Sequence, residues 1–146
     1  MIKEIQVKAV VAVNNLGFIG KNRKLLWKCS EDIEHFKKLI SGKTIIVGYN
    51  TLTTLPRSIR NLVKDIVADQ RDRSAEEVLD SLEGEIWCIG GKKTYEKYAP
   101  LITEFHISKI NDNGVGDCVF PDLSNLNPDC KVFNYCFEID DSVEKT

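Results

Sequence analysis

The stretch VKAVVAV at residues 7–13 decides the fold class of this sequence. Its residues are nearly all apolar and mostly β-branched, so it predicts a central strand that is covered on both faces. Similar short runs recur, and segments of helical periodicity separate them. That pattern is typical of an α/β fold with a mostly parallel sheet rather than of a sandwich. The predicted strands are 7–13, 44–47, 65–68, 85–89, 104–110 and 132–139.

Four helices are predicted between these strands, at 31–40, 50–55, 75–82 and 93–98. Ser30 and Ser74 are good N-cap residues for two of them, because acidic residues follow in the first turn. No repeat, low-complexity tract or linker interrupts the pattern. We therefore expect residues 1–146 to form a single domain.

The composition excludes several classes of partner. The 146 residues carry 20 Lys and Arg against 22 Asp and Glu, a net charge of −2, and 42% of them are hydrophobic. Without a basic excess, nucleic acids and anionic membranes are not expected partners. The longest apolar runs fall far short of the ~20 residues that a bilayer span needs. The first residues lack a secretory signal, so we expect a cytoplasmic protein, and the absence of an apolar surface stripe predicts a monomer.

Cysteine and histidine content indicates neither a disulfide framework nor a metal site. The five cysteines are odd in number and include no CxxC pair, so we expect reduced thiols. Cys88 and Cys136 fall in predicted strands, where they would act as small apolar side chains. The two histidines, His35 and His106, are too few to indicate a metal centre.

Asp32 is the most informative residue on physical grounds. On the predicted helix at 31–40 it lies on the same side as Phe36 and Leu39, so its carboxylate points toward the core. Burying a carboxylate costs several kcal/mol unless hydrogen bonds compensate, and the usual result is a raised pKa or a polar partner. Alternatively, Asp32 only favours the positive end of the helix. The long preceding loop contains Trp27 and favours the first interpretation, since a Trp beside a buried acid suggests a pocket with a lid.

Glycines follow two of the predicted strands at points where helices begin. Residues 48–51 read GYNT, and residues 90–94 read GGKKT. Ligands of open α/β sheets bind outside the carboxyl ends of the strands, where glycine lets backbone amides approach phosphate. Two such junctions suit the two phosphates of a dinucleotide, although each alone could be a plain turn. Neither GxGxxG nor a Walker A motif is present.

In chain order, these segments resemble dihydrofolate reductase. The resemblance rests on NNLGFIGKNRKLLW at 14–27, SEDIEHFKKL at 30–39, IIVGYNTLTTL at 45–55, WCIGGKKTYEKYAP at 87–100, GVGDCVFPD at 114–122 and YCFEI at 135–139. It implies a single-domain, three-layer α/β fold whose sheet is mostly parallel and whose C-terminal strand is antiparallel. It also implies hydride transfer from NADPH to C6 of 7,8-dihydrofolate with protonation at N5, which gives tetrahydrofolate for one-carbon metabolism.

Four catalytic residues are implied by this resemblance. Asp32 would bind the amino group and N3 of the pterin and favour its protonated form, with water as the immediate proton donor. Ser108 stands where the family usually has Thr and would bridge carboxylate and pterin. Trp27 would hold an ordered water near Asp32, and Leu25 lies in a lid that packs over the nicotinamide.

The resemblance also implies the binding residues. Backbone carbonyls of Val10 and Ile89 would face the pterin, Phe36 and Leu55 would clamp the aminobenzoyl ring, and the Gly90–Gly91 peptide would be cis. The implied substrate contacts are Val10, Ala12, Asp32, Phe36, Leu55, Arg57, Arg60, Ile89 and Ser108. The implied NADPH contacts are Ala12, Ile19, Gly20, Gly48, Asn50, Thr51, Asp69, Arg71, Ile89, Gly90, Gly91, Lys92, Lys93, Thr94 and Tyr95.

Two features outside the coenzyme site depart from the family pattern. The arginine that pairs with the glutamate tail of folate is expected at Arg60, with Arg57 as its rival and Lys64 as a third possibility. The segment that precedes YCFEI is too short for the family's usual hairpin. We therefore expect the strand at 132–139 to be poorly covered and the protein to be marginally stable.

A third departure concerns the coenzyme. Asp69 and Tyr49 stand where the family commonly has hydroxyl or basic residues around the adenosine 2′-phosphate. An Asp there would repel a phosphate and accept from a ribose hydroxyl, which is typical of NADH use, whereas Arg71 and Arg73 could restore a positive site. We therefore expect NADPH use with weak discrimination against NADH.

Two other functions stay open at this point. The related pyrimidine reductase of riboflavin biosynthesis shares the fold but lacks the acid-helix pattern around Asp32 and the YCFEI ending. A folate- or nucleotide-binding module without turnover would not need an acid at position 32. Oxidation of NADPH by dihydrofolate, with and without Asp32→Asn, discriminates among the three.

Overall fold

A six-stranded sheet carries the fold, and the strand that contains VKAVVAV lies near its middle. The computed structural model describes residues 4–20 and 27–140. In chain order, the strands are β1 (Ile5–Asn14), β2 (Phe18–Gly20), β3 (Thr44–Val47), β4 (Asp65–Ala68), β5 (Gly84–Cys88), β6 (Glu104–Asn111), β7 (Cys118–Val119) and β8 (Lys131–Glu138). The sheet order is β4-β3-β5-β1-β6-β8, with parallel pairing throughout. A separate antiparallel pair joins β2 to β7.

The four predicted helices are present, with bounds that differ by one or two residues, and the described part of the chain holds one further short helix. They are α1 (Ser30–Ile40), α2 (Tyr49–Thr53), α3 (Arg57–Arg60), α4 (Ala75–Asp80) and α5 (Lys92–Tyr98), followed by a 3₁₀ turn at Ala99–Leu101. The sequence did not indicate β2, α3 or β7, because elements of two to four residues are too short to show a period. Among the described residues, no helix is long and apolar enough to cross a membrane.

Both faces of β1 are buried, because successive side chains of a strand point to opposite sides. Val7, Ala9 and Val11 pack with residues of α4 and α5. Val10 packs on the other face with residues of α1 and α3. Helices therefore cover both faces of the sheet, and the predicted three-layer α/β fold is confirmed.

The predicted antiparallel direction of the C-terminal strand is wrong. β8 runs parallel to β6, with Glu104 opposite Lys131 and Asn111 opposite Glu138. Residues 112–130 carry the chain from the end of β6 back to its start, whereas an antiparallel pair would follow from a tight hairpin. As expected, β8 is poorly covered: it is the edge strand, and Val132 is 45% exposed.

One of the two predicted helix caps is confirmed. Ser74 accepts from the amide of Glu77, and the Glu77 carboxylate accepts from the amide of Ser74, which completes a capping box for α4. Ser30 is not a cap, because it is the first residue of α1 and Cys29 takes the N-cap position. The Ser30 hydroxyl donates to Asp140 instead, at 2.8 Å. The predicted reduced thiols agree with five free cysteines.

Candidate active site

A cavity of about 560 Å³ opens at the carboxyl ends of β1 and β5, and α1 forms its opposite wall. Its walls are mostly apolar, and Asp32 is the only carboxylate among the described residues that line it. We call it the first cavity. The predicted site residues in its lining are Val10, Ala12, Ile19, Asp32, Phe36, Thr51, Leu55, Ile89, Gly90, Gly91, Lys92 and Tyr95.

The Asp32 carboxyl group lies in the first turn of α1 and is buried, with 6% of the residue exposed. Burial raises the pKa of this carboxyl above its usual range, and the Ser108 hydroxyl and the His35 ring oppose the rise. The Ser108 hydroxyl is close enough to act on the carboxylate, yet it forms no hydrogen bond of ordinary geometry with any described residue. Asp32 is thus a buried acid without a strong cationic partner, as its helical position predicts.

Buried polar atoms without hydrogen-bond partners cluster near this acid. Among the described residues they are Trp27 Nε1, His35 Nε2 and Ser108 Oγ. Ser108 pairs in register with Ala12, a lining residue, and Ala12 packs against the cluster that contains Trp27. Buried polar atoms are normally satisfied, so unsatisfied ones beside a cavity point to a ligand or to water.

His35 lies near the acid and connects through Tyr135 to His106, and sequence reasoning assigned neither histidine a role. The His35 ring contacts the Tyr135 ring in a tilted arrangement, with ring centroids 4.1 Å apart and an interplanar angle of 54°. The Tyr135 hydroxyl lies 2.9 Å from Nδ1 of His106, whose Nε2 lies 3.1 Å from a Glu104 carboxylate oxygen. Burial lowers the pKa of His35, and the nearby Asp32 opposes that change. The spacing of three residues between Asp32 and His35 places them on one helix face, and this signal could have revealed the pair.

A second cavity, of about 750 Å³, lies at the carboxyl ends of β3, β4 and β5. We call it the second cavity. It is more polar, and four cationic side chains line it: Arg71, Lys92, Lys93 and Lys97. The predicted coenzyme residues in its lining are Gly48, Asn50, Thr51, Asp69, Arg71, Gly91, Lys92, Lys93 and Thr94.

The two glycine junctions form a single unit beside this cavity. The Gly48 amide donates to the Gly90 carbonyl at 2.7 Å. A Cβ atom on Gly48 would lie 2.6 Å from Thr94 Oγ1, so only glycine fits there without a shift. The Gly90–Gly91 peptide is cis, as expected. These contacts favour a shaped cradle over two plain turns.

The Asp69 carboxylate lines the second cavity but is fully engaged within the protein. Lys97 Nζ donates to both of its oxygens, at 2.9 and 3.1 Å, and the Tyr98 hydroxyl donates to one of them at 2.8 Å. The sequence predicted the acid but not its partners. Lys97 lies one helical turn after Lys93 on α5, and that spacing was the available signal for it.

Several predicted residues lie elsewhere. Arg60 donates to the carbonyls of Leu52 and Leu55, at 2.6 and 3.1 Å, rather than into a cavity. The Val10 carbonyl accepts from the Tyr95 hydroxyl at 2.7 Å, which occupies one of its two lone pairs. Outside both linings are Gly20, Trp27, Arg57, Arg60 and Ser108. Leu25 falls outside the described residues.

Sequence reasoning missed some of the lining. The additional residues of the first cavity are Val11, Ile33, Thr54, Pro56 and Cys118. Those of the second are Lys97, Asp117 and Cys118, and Tyr49, which sequence reasoning noted as a departure at the adenosine 2′-phosphate, lines it too. Cys118 lines both cavities, which therefore meet beside β7.

Comparisons with known proteins agree on one family. A family model described as dihydrofolate reductase matches residues 6–130. Dihydrofolate reductase of Mycobacterium tuberculosis is 31% identical over 120 residues, which cover 73% of this chain and 74% of that protein. The Bacillus subtilis protein of the same name is 29% identical over 132 residues, with 83% and 79% covered. The one from Buchnera aphidicola is 26% identical over 162 residues, with 92% and 98% covered.

A solved structure shares the fold. It is described as dihydrofolate reductase from Enterococcus faecalis complexed with NADP(H) and RAB-propyl. The TM-score is 0.70 at 23% sequence identity, and the match covers 82% of this chain and 79% of that one. The shared fold places both chains in the α/β class with a mainly parallel sheet.

Proposed function

Because the chain belongs to the dihydrofolate reductase family and carries that family's activity, the reduction of dihydrofolate by NADPH, we propose that its two cavities divide this work. The first cavity binds the pterin and the nicotinamide, and the second binds the phosphates and the adenosine of the coenzyme. The observation that carries the proposal is Asp32, a buried carboxylate on the wall of an otherwise apolar cavity.

Asp32 supplies the charge that the pterin requires. Its carboxylate accepts hydrogen bonds from the amino group and N3 of the pterin and stabilises positive charge on the ring, which raises the proton affinity of N5. Water delivers the proton to N5. Ser108 bridges carboxylate and pterin, and its unsatisfied hydroxyl supports this role. Trp27 holds the water through Nε1, which also lacks a partner among the described residues.

The rest of the first cavity positions the substrate. Phe36 and Leu55 line it and enclose the aminobenzoyl ring. The Ile89 carbonyl and the second lone pair of the Val10 carbonyl face the pterin. Arg57 is now the better candidate for the glutamate tail, since backbone carbonyls already engage Arg60.

The second cavity suits a pyridine dinucleotide. Its cations and the glycine cradle at Gly48 and Gly91 fit a pyrophosphate, with hydroxyls of Thr51 and Thr94 beside it. Ala12, Ile19 and Gly20 hold the nicotinamide, which brings it to the first cavity. When bound, NADPH supplies the hydride that reduces C6 of dihydrofolate.

Turnover tests the assignment directly. Mixing the protein with dihydrofolate and NADPH is expected to lower the absorbance of NADPH, and Asp32→Asn is expected to abolish most of the rate. An active Asp32→Asn variant would contradict the role of Asp32. A parent protein without turnover would favour the binding module; the comparisons give no support to the riboflavin-type alternative.

Coenzyme preference is a separate proposal. We expect NADPH to be used with weaker discrimination against NADH than is usual, because Tyr49 and Asp69 face the second cavity. Measuring kcat/KM for both coenzymes checks this. A preference for NADPH above about 10³-fold, or ~4 kcal/mol, would contradict it.

Three further features are proposals. A single sheet that takes strands from Ile5 to Glu138 supports a single domain at residues 1–146. Five free thiols support a reducing compartment such as the cytoplasm. We also propose that the protein has no nucleic-acid partner, on the basis of its near-neutral charge, and that it is a monomer, on the basis of the absence of an apolar surface stripe in the sequence. Light scattering of the purified chain tests the oligomeric state.

A further inference from the structure

Four acceptor oxygens of the protein surround the ammonium group of Lys97. Its Nζ lies 2.9 and 3.1 Å from the two carboxylate oxygens of Asp69, 2.9 Å from the Gln70 carbonyl and 2.6 Å from the Arg73 carbonyl. An ammonium group has three protons, and these four acceptors use all of them. Lys97 therefore lines the second cavity without a proton to offer to a ligand.

Lys97 compensates the negative charge of the Asp69 carboxylate. The Asp69 side chain is 11% exposed, and Asp69 directly follows β4, the outermost strand on that side of the sheet. Asp69 therefore lies at the end of the second cavity that is farther from β1 and Asp32. A dinucleotide with its nicotinamide at the first cavity would place its adenosine ribose toward this end.

We propose that Lys97 is a specificity-determining residue: by neutralising Asp69, it allows a coenzyme with a phosphate on its adenosine ribose to bind. This inference rests on the proposed function. Without Lys97, the Asp69 carboxylate would repel a 2′-phosphate and would accept a hydrogen bond from a free 2′-hydroxyl. With Lys97 occupied by Asp69, the cavity-lining cation nearest to Asp69 in the chain is Arg71, which would face the phosphate.

Variants that change one charge at a time separate the two partners. Lys97→Met is expected to lower the ratio of kcat/KM for NADPH to that for NADH by at least about tenfold. Asp69→Asn is expected to raise this ratio, because the cation then stays unopposed. The double variant is expected to return toward the parent value, and Lys97→Arg is expected to keep most of the preference.

Binding without turnover gives a second readout. Calorimetric titration with adenosine 2′,5′-bisphosphate and with AMP compares the two ribose forms alone. Lys97→Met is expected to weaken the bisphosphate relative to AMP, again by about tenfold. Lys43→Met is the matched control, since Lys43 also forms a short ion pair, 2.7 Å from Glu85, and neither of these two residues lines a cavity.

Clear results would overturn the inference. If Lys97→Met lowers kcat/KM for NADPH and for NADH by the same factor, Lys97 has only a structural role. Two ratios are compared for the folded Asp69→Asn variant: kcat/KM for NADPH over that for NADH, and the affinity for the bisphosphate over that for AMP. If neither ratio changes by more than about twofold, Asp69 does not face the ribose. Asp69→Asn keeps the test decisive should Lys97→Met fail to fold. A parent protein inactive with both coenzymes would instead contradict the proposed function, which is a distinguishable failure.

Discussion

Asp32 and Asp69 are both aspartates on cavity walls, but their surroundings are opposite. Asp32 is 6% exposed and has no strong cationic partner, and burial raises its pKa. Asp69 receives an ammonium group and a phenol hydroxyl. The two carboxyl groups therefore have very different compensation.

The difference distinguishes a carboxylate that is available to a ligand, Asp32, from one that is bound by neighbouring side chains, Asp69. A buried carboxylate without compensation costs stability, so an unpaired one on a cavity wall indicates a ligand that completes it. A carboxylate saturated by donors has little left to offer. Under the proposed function, Asp32 therefore supplies the charge that the pterin requires, whereas Asp69 and its partner Lys97 govern the charge at the adenosine end of the second cavity.

The largest effect expected from this comparison is the loss of activity in Asp32→Asn. An amide keeps the shape but cannot stabilise a protonated pterin, so kcat is expected to fall about 10²- to 10⁴-fold. Asp69→Asn is expected to change kcat with NADPH by less than about threefold. Steady-state kinetics of both variants check the contrast, and equal losses of kcat in the two variants would contradict it.

The shape of the second cavity gives the next largest effect. Gly48→Ala is expected to raise the KM for NADPH about tenfold, because its Cβ would meet Thr94 Oγ1 at 2.6 Å. Adding Thr94→Ala to Gly48→Ala removes the clashing oxygen. If the clash is the cause, this second change is expected to recover part of the stability measured by thermal unfolding. A Gly48→Ala variant with unchanged KM and melting temperature would show that the cradle tolerates a side chain.

Most of this comparison was visible in the sequence, and the rest was not, for physical reasons. Asp32 could be predicted to be buried because helical spacing fixes which residues share a face. The partners of Asp69 could not be predicted, because α4 and β5 separate Lys97 from Asp69 in the chain. Helical spacing after Lys93 could have placed Lys97 on the cavity side of α5, but its pairing with Asp69 is tertiary and leaves no local signal.

The direction of β8 shows a similar limit. Its β propensity predicted a strand, and the strand is there. Its direction depends on where residues 112–130 return the chain, and loop composition does not encode that path. The short elements β2, α3 and β7 are likewise set by tertiary contacts rather than by a period.

Ser108 offers a smaller effect that sharpens the account of Asp32. Its buried hydroxyl forms no hydrogen bond of ordinary geometry with a described residue and only opposes the rise in the pKa of Asp32, so Ser108→Ala is expected to lower the stability of the free protein only slightly. In the complex the bridge to the pterin would be lost, and kcat/KM is expected to fall about tenfold. Ser108→Thr is the conservative control and is expected to keep the activity. A destabilised Ser108→Ala with full activity would make the hydroxyl structural.

The smallest effect is on stability, where the two aspartates are expected to differ in sign. Asp69→Asn is expected to lower the melting temperature at neutral pH, because Lys97 loses its carboxylate. Asp32→Asn is expected to raise it by a few degrees, about 2–4 °C per kcal/mol for a chain of this size.

The gain from Asp32→Asn is expected to depend on pH in a defined direction. Below pH ~4, the usual pKa of Asp, the carboxyl is protonated in both the folded and the unfolded state and costs nothing. As the pH rises toward the higher pKa of the folded protein, the unfolded chain releases this proton first, so the parent loses stability. The melting temperature of Asp32→Asn is therefore expected to exceed that of the parent increasingly across this window and by a constant amount above it. A gap that narrows with rising pH would mean that Asp32 has the compensation that we assign to Asp69 alone.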